Sequence, residues 1–232
     1  INEGESLTHL YASPENLAAP RRISYQELAA QCDAVFIALH GRPGEDGAIQ
    51  EELEKVGLPY NGSGKTSSEI TIDKFRTNEI LMQHGLLAAE HFLVHENDWL
   101  TNKAAILQTI DEKIKWPFIA KPVDDGCSSA VRKIKTIAEL EAFAELIFRK
   151  TDQLDEKAAE LLHIKPKEEF PFKKVFLVEE LISKRNAVHF LEITGGMLSR
   201  FNDKGAQEYE VFEASEALSE GEVLSLEEKF LA

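Results

Sequence analysis

A continuous apolar run followed by a glycine-rich loop is the feature that most restricts the fold of this chain. Residues 34–39 read AVFIAL, and HGRPGEDG follows at residues 40–47. An apolar run without alternation is typical of a strand that is buried on both faces, as in parallel sheets. The next segment places Ile49, Leu53 and Val56 on one face of a helix. Strand, loop and helix in this order predict the start of a doubly wound parallel α/β domain.

The composition argues against several classes of protein. The chain has 232 residues, with 26 Lys and Arg against 41 Asp and Glu, and a formal net charge of −15. This excess of carboxylates argues against nucleic acid as a partner, because phosphate binding depends mainly on Lys and Arg. Since no apolar run approaches the roughly 20 residues of a membrane-spanning helix, we expect no membrane partner. Cys32 and Cys127 are too few for a disulfide scaffold, which favours a reducing, cytoplasmic compartment.

Strands and helices are predicted to alternate along the rest of the chain. Asp73 is placed to cap a helix that continues to His84 and ends at Gly85. Thr136 and Glu139 form a capping box at the start of another helix. The other predicted elements are helices at residues 24–31 and 104–115 and strands at residues 90–94, 118–121, 131–135, 174–182, 187–194, 197–201 and 208–214.

The last third of the chain changes to antiparallel patterns. Gly195 and Gly196 lie between two predicted strands and indicate a tight hairpin turn. Residues 208–214 alternate glutamate with apolar side chains, as a half-buried strand does.

Residues 62–66 read GSGKT and invite comparison with a phosphate-binding P-loop. The complete motif requires glycine where this chain has Pro59. Proline would stiffen the turn whose amides must surround the phosphate. We therefore favour a plain turn over a P-loop.

Two strand ends carry candidate binding groups. Lys121 ends a predicted strand and precedes DDGCSS at residues 124–129, as in a mobile loop that covers phosphate. An exposed hairpin with a solvated lysine explains this segment equally well. Glu179 and Glu180 end another apolar strand, where a carboxylate and backbone groups suit the amino group of adenine. A solvated strand end is the more common outcome for such a pair.

His40 and Glu45 follow the first predicted strand, at the edge where open α/β sheets bind ligands. Helix capping explains Glu45 as well, and His40 fits an ordinary loop position. The seven histidines are scattered, and neither cysteine has a partner at ligand spacing, so the sequence predicts no metal site.

Taken in order, these pieces resemble the D-alanine–D-alanine ligases of the ATP-grasp superfamily. The resemblance covers most of residues 34–232 and is weakest at residues 151–172 and 202–225. The matching segments are residues 39–41 (LHG), 44–47 (GEDG), 49–50 (IQ), 58–60 (LPY), 62–64 (GSG), 73–74 (DK), Phe118, 121–122 (KP), Gly126, Ser128, 178–180 (VEE) and 228–231 (EKFL).

The fold implied by this resemblance combines α/β and α+β parts, an ATP-grasp fold preceded by an incomplete doubly wound parallel-sheet domain. Residues 1–66 would form the N-terminal α/β domain, residues 67–182 the small ATP-grasp lobe, and residues 183–232 the start of the large lobe. The chain starts without Met, and the family's C-terminal segment is not evident, so we expect a chain cut at both ends.

The activity implied by the resemblance is an ATP-dependent ligation that supplies precursors of cell-wall peptidoglycan. ATP phosphorylates the carboxylate of one D-alanine, and the amine of a second then attacks the acyl phosphate. The expected partners are small molecules, namely D-alanine or a similar substrate and ATP. Mg²⁺ is expected as well, with ligands outside this chain, and the family allows a homodimer.

The resemblance also implies roles for individual residues. The expected ATP-binding residues are Lys74 and Lys121 at the phosphates, Gly126 in the covering loop, Glu179 at adenine with the backbone of Glu180 and Ile182, and Asn186 near the ribose. The expected catalytic residues are His40 and Glu45 at the substrate, Cys127 and Ser128 in the loop, and Lys229 at the terminal phosphate.

Several residues depart from the family pattern. Cys127 replaces a serine, Ala130 a glycine, Asn186 a glutamate, and Phe230 a tyrosine of the substrate loop. These departures keep two alternatives open: a ligase with another nucleophile, such as a D-hydroxy acid, and a ligase-like nucleotide-binding module without catalysis. The retained lysines and Glu179 favour the ligase.

Overall fold

The structure, a computed structural model, describes residues 21–126, 129–165, 168–183 and 192–217. The chain divides into two compact units, Ile1–Lys65 and Thr66–Ala232. The division of the second unit at residue 182 into two lobes stays a prediction.

Two helices form the regular structure of the first unit between residues 21 and 64, α1 (Tyr25–Ala29) and α2 (Ala48–Lys55). Ser24 caps α1 because its hydroxyl accepts from the Glu27 amide at 3.1 Å, while the Glu27 carboxylate accepts from the Ser24 amide at 2.8 Å. Leu53 of α2 is fully buried. Both predicted helices are therefore confirmed.

The predicted buried strand at residues 34–39 is wrong. Val35 makes a single parallel β-bridge with Tyr60, and Phe36 next to it is 80% exposed. A buried parallel strand needs hydrogen-bonded neighbours and helices over both faces. In the described part of this unit, residues 21–65, the Val35–Tyr60 bridge is the only β-pairing. The bridge is parallel, as the prediction of a parallel sheet requires.

The second unit contains a four-stranded antiparallel sheet with the strand order β1-β4-β2-β3. Its strands are β1 (His91–His95), β2 (Phe118–Pro122), β3 (Arg132–Ile134) and β4 (Val175–Glu180). These strands confirm the four predicted between residues 90 and 182.

Helices accompany this sheet along the chain. They are α3 (Lys65–Ile72), α4 (Lys74–Gln83), α5 (Glu96–Thr109), α6 (Ile137–Ile147) and α7 (Glu156–Leu161). The helix predicted at residues 104–115 forms the part of α5 that follows a kink at Asn102, whose φ of −145° and ψ of 43° are not helical. It passes into a π-helical turn at Ile110–Ile114. Glu96 and Asp98 lie in the first turn of α5, where acidic side chains favour a helix start.

One face of the sheet packs against α6 to form the core. Phe143 of α6 is fully buried, and its ring meets those of Phe170 and Phe176 at centroid distances of 5.5 and 5.1 Å. Thr136 caps α6 through the Glu139 amide at 3.2 Å. The Glu139 carboxylate accepts from the Lys135 amide at 2.6 Å, so only the first half of the predicted capping box forms.

The last four described strands pair in an order that differs from the predicted one. They are β5 (Glu192–Thr194), β6 (Met197–Phe201), β7 (Gln207–Val211) and β8 (Ser215–Ala217), with β5 paired to β8 and β6 to β7. Gly195 and Gly196 thus join two strands that do not pair, and the predicted hairpin turn there is wrong. The turn forms instead after Asn202, whose side-chain oxygen accepts from the Lys204 and Ala206 amides, each at 3.0 Å.

The strand predicted at residues 208–214 forms as β7, but the predicted half-burial is wrong. All five residues of Gln207–Val211 are exposed. Val211, for example, keeps 75% of its surface. The alternation therefore marks two distinct faces, but the residues that the structure describes bury neither of them.

Candidate functional site

The sheet face opposite the core carries the first pair of candidate residues. In the strand register, Glu179 lies opposite Ile119 of β2 and His91 of β1. Lys121 is two residues beyond Ile119 and therefore lies on the same face, diagonal to Glu179. The Lys121 Nζ is 2.6 Å from the Glu179 Oε1, and these side chains are only 17% and 15% exposed. The strand register thus brings Lys121 and Glu179 together in a largely buried ion pair.

Helix α4 adds Asn78 to this pair. The Asn78 Nδ2 donates to the Glu179 Oε2 at 3.2 Å, while the other carboxylate oxygen accepts from Lys121. Sequence analysis missed Asn78, although it lies one helical turn after Lys74 and hence on the same side of α4. The Glu179 carboxylate is therefore oriented from both a strand and a helix.

Lys74 lies at the start of α4 and holds the loop that follows β2. Its amide donates to the Val123 carbonyl at 2.9 Å, and its ammonium contacts that carbonyl at 3.4 Å and the Asp125 carbonyl as well. Burial lowers the pKa of Lys74, and the nearby charge of Lys121 lowers it further. A bound anion would relieve the repulsion between these two ammonium groups.

Lys173, just before β4, is a second residue that sequence analysis missed. Its ammonium lies 3.0 Å from an Asp124 carboxylate oxygen and 3.1 Å from the Asp125 Oδ1. The Asp125 Oδ2 is buried and has no hydrogen-bond partner among the described residues. A lysine so far along the chain from this loop gives no local sequence signal.

The loop predicted to cover phosphate is described only in part. The Gly126 carbonyl accepts from the Ser129 amide at 3.0 Å, whereas Cys127 and Ser128 lie outside the described residues. Ala130 is buried and has a φ of 49°, in the left-handed region that favours glycine. The backbone here therefore has the form that suits the glycine of the family pattern.

Of the other residues predicted at the nucleotide, the structure describes Glu180 and Ile182. The Glu180 amide donates to the Glu90 carbonyl at 2.8 Å, and Ile182, after the end of β4, is 65% exposed. Asn186 and Lys229 lie outside the described residues, as does Phe230.

His40 and Glu45 meet in the first unit. The His40 Nδ1 is 3.2 Å from the Glu45 Oε1, and the other oxygen of Glu45 accepts from the Gly41 amide at 2.8 Å. Gly44 is needed in this loop because a Cβ there would lie 2.5 Å from the Leu39 Cβ. The loop therefore holds the two candidate side chains together in a surface that is half exposed.

The GSGKT segment leads into α3, which begins at Lys65. The Lys65 amide donates to the Glu54 carboxylate at 3.1 Å, and the Lys65 ammonium is 3.1 Å from Glu51. The Tyr60 hydroxyl also donates to Glu54 at 2.6 Å, and burial together with this carboxylate raises the pKa of Tyr60 to about 12. Because these polar groups bind the first unit itself, the structure favours a plain turn over a P-loop.

The described ranges lack both a metal-binding cluster and a membrane-spanning helix. Within residues 21–126, 129–165, 168–183 and 192–217, no group of three or more His, Cys, Asp or Glu side chains is arranged to hold a metal ion. In the same ranges, no helix is both long and apolar enough to cross a membrane.

Two family models match the sequence. The model described as D-ala D-ala ligase N-terminus matches residues 2–63, and the model described as D-ala D-ala ligase C-terminus matches residues 80–165. Among curated proteins, the D-alanine–D-alanine ligase of Leptospira interrogans is 30% identical over 205 residues, which cover 88% of this chain and 50% of that protein. The corresponding ligase of Polynucleobacter asymbioticus is 39% identical over 122 residues, covering 52% and 34%. The chain thus spans about half the length, or less, of these curated relatives.

Solved structures of ligases share the fold. The VanG D-Ala:D-Ser ligase from Enterococcus faecalis has a TM-score of 0.55 and 24% identity, covering 79% of this chain and 43% of its own. The D-alanine–D-alanine ligase from Bacillus anthracis, solved as a complex with ATP, has a TM-score of 0.51 and 24% identity, covering 81% and 55%.

Proposed function

We propose, from the premise that the chain belongs to the D-alanine–D-alanine ligase family, that its protein joins two D-alanine molecules in a reaction driven by ATP. The fold is the ATP-grasp fold of that family, as predicted. The observation that carries the proposal is the pair of Lys121 and Glu179 on one sheet face, with Lys74 nearby at the start of α4. Together they combine two cations with an oriented carboxylate.

The cluster offers groups for the phosphates of ATP and for its adenine. Lys74 and Lys121 supply fixed positive charge for the phosphates. Burial, and then the charge of Lys121, lower the pKa of Lys74. Glu179 is an acceptor held in place by Asn78 and therefore suits the amino group of adenine. Gly126 belongs to the loop that would cover the phosphates, and we assign Cys127 and Ser128 to the same role.

The proposed reaction has two steps. A carboxylate oxygen of the first D-alanine attacks the γ-phosphorus, and ADP leaves with the electrons of the broken bond. The amine of the second D-alanine then attacks the acyl carbon, inorganic phosphate leaves, and the amine loses a proton. Both transition states carry concentrated negative charge, which fixed ammonium groups stabilise most where water is excluded. We assign Lys229 to the terminal phosphate, and His40 and Glu45 to the first substrate.

Mg²⁺ is part of the proposal because nucleotide phosphates are usually bound with it. The described residues contain no group suited to hold it. The steps above therefore rest on this chain's own side chains. We also propose a cytoplasmic location, where ATP is available.

The test is an assay of the full-length protein for phosphate and dipeptide together. We expect phosphate release that rises with D-alanine and an equal amount of D-alanyl-D-alanine, with none from L-alanine. Parallel reactions with added D-serine or D-lactate identify the second substrate, because each acceptor gives a product of different mass. Bound ATP without phosphate release in any reaction would contradict the ligase and indicate a nucleotide-binding module without catalysis.

The cap of α4 gives a further prediction. The Asp73 carboxylate accepts from the Arg76 amide at 2.9 Å at the helix start that carries Lys74. Asp73→Ala is expected to lower the free energy of unfolding by about 0.5–2 kcal/mol and to weaken ATP binding, because Lys74 loses its fixed position. Urea unfolding and ATP titration measure the two effects.

Asp155→Ala is the matched control, since Asp155 caps α7 through the Ala158 amide at 2.9 Å. We expect a similar loss of stability and unchanged ATP affinity. Equal ATP affinities of the two variants would refute the link between this cap and the nucleotide.

A further inference from the structure

The root of the loop after β2 is held from two sides by lysines from distant parts of the chain. Lys74 binds the carbonyls of Val123 and Asp125 from the start of α4. Lys173 binds the carboxylates of Asp124 and Asp125 from just before β4. The Lys173 amide also donates to the Ile147 carbonyl at 2.6 Å, which ties its backbone to the end of α6. Lys173 therefore stands at a fixed place in the scaffold.

Six side chains of this region carry opposite charges. Lys74, Lys121 and Lys173 contribute three positive charges, and Asp124, Asp125 and Glu179 contribute three negative ones. Asp125, Asp124 and Lys173 all act on the pKa of Lys74, the two carboxylates raising it and Lys173 lowering it. The two aspartates are thus within electrostatic reach of Lys74.

We propose that Lys173 is a positioning residue for ATP: by neutralising Asp124 and Asp125, it keeps these carboxylates from opposing the triphosphate at Lys74 and Lys121. The inference rests on the proposed function and adds a residue to that site. Lys173 itself need not touch the nucleotide. Without its charge, two carboxylates at the loop root would face the bound phosphates and repel them.

The ion pairs of Lys173 with Asp124 and Asp125 are partly buried, which strengthens the effect of their charges on the phosphates. The side chain of Lys173 is 22% exposed, and those of Asp124 and Asp125 are 33% and 21% exposed. Charges in such positions are screened less than charges on an open surface. A lysine that served only to stabilise the fold would affect charged and uncharged ligands alike, whereas a charge effect acts on the phosphates.

The test compares ATP with adenosine as ligands in titration calorimetry of the protein and its variants. For Lys173→Met we expect the Kd for ATP to rise roughly tenfold, as for loss of a nearby charge, and the Kd for adenosine to stay within about twofold. The rise should shrink as salt is added. Lys173→Arg should keep most of the affinity for ATP, and Lys174→Met, at the exposed neighbouring lysine, should leave it unchanged.

Removing a negative charge provides the complementary test. Adding Asp124→Asn to Lys173→Met is expected to restore most of the ATP affinity, because the loss of one negative charge offsets the loss of the positive charge of Lys173. Asp124→Asn alone should tighten ATP binding, which tests the proposal even where Lys173→Met fails to fold.

Three results would overturn the inference. They are an unchanged Kd for ATP in Lys173→Met, equal losses for ATP and adenosine, and no gain of ATP affinity from Asp124→Asn in either background. A wild-type protein that binds no ATP would overturn the proposed function itself, so the two failures are distinguishable.

Discussion

Lys121→Ala is expected to raise the Kd for ATP by roughly 10- to 100-fold, because a hydrogen bond to a charged group contributes about 1.5–3 kcal/mol. Two effects act in the same direction. The phosphates lose a fixed cation, and Glu179, 15% exposed and normally paired at 2.6 Å, keeps a negative charge that repels them. Titration calorimetry with ATP measures the change.

Lys157→Ala is the control for this prediction, because Lys157 is an exposed lysine of α7. It is expected to bind ATP as the wild-type protein does. A thermal unfolding curve must accompany Lys121→Ala, since an unpaired Glu179 also destabilises the sheet. A folded Lys121→Ala protein with unchanged ATP affinity would refute the assigned role.

Phe143→Ala is expected to lower the free energy of unfolding by about 3–5 kcal/mol. Phe143 is fully buried and meets Phe170 and Phe176 edge-on, so its removal leaves a cavity between α6 and the sheet. The remaining side chains are held by the strand register and fill such a space only partly. Urea unfolding, followed by circular dichroism, measures the loss.

Leu100→Ala serves as the matched control, because Leu100 of α5 is 74% exposed. We expect its free energy of unfolding to stay within about 0.5 kcal/mol of the wild-type value. Similar losses in the two variants would contradict the placement of the core between α6 and the sheet.

The elements predicted correctly are those whose sequence pattern is local. Asp73 and Thr136 cap helices through amides three residues away, and such spacing can be read directly from the sequence. Each of the four strands of the main sheet places at least one apolar side chain in the core. Short-range patterns therefore predicted most of the second unit up to β4.

The predictions that failed depended on partners far along the chain. Residues 34–39 have the composition of a buried strand, but burial requires neighbouring strands that the composition does not specify. Gly195 and Gly196 have the chemistry of a hairpin turn, yet the strand after them pairs with β7 through a turn stabilised by Asn202. A turn signal shows where the chain bends but not which strands pair.

The candidate site likewise contains residues that local sequence patterns predicted and residues that they missed. Lys74, Lys121 and Glu179 each stand in a recognisable segment, and their order along the chain carried the family resemblance. Asn78 and Lys173 act through side-chain contacts with residues 101 and 48 positions away, respectively. Such contacts depend on register and packing, so the structure was needed to find them.

Isotope labelling of the D-alanine carboxylate oxygens tests the proposed ligase chemistry most directly. The full-length protein is given ATP and D-alanine that carries heavy oxygen in its carboxylate, and the released phosphate is analysed by mass spectrometry. An acyl phosphate transfers a carboxylate oxygen to phosphorus, so we expect one heavy oxygen in each phosphate. Phosphate without heavy oxygen would take its fourth oxygen from water, and that result would contradict the ligase mechanism.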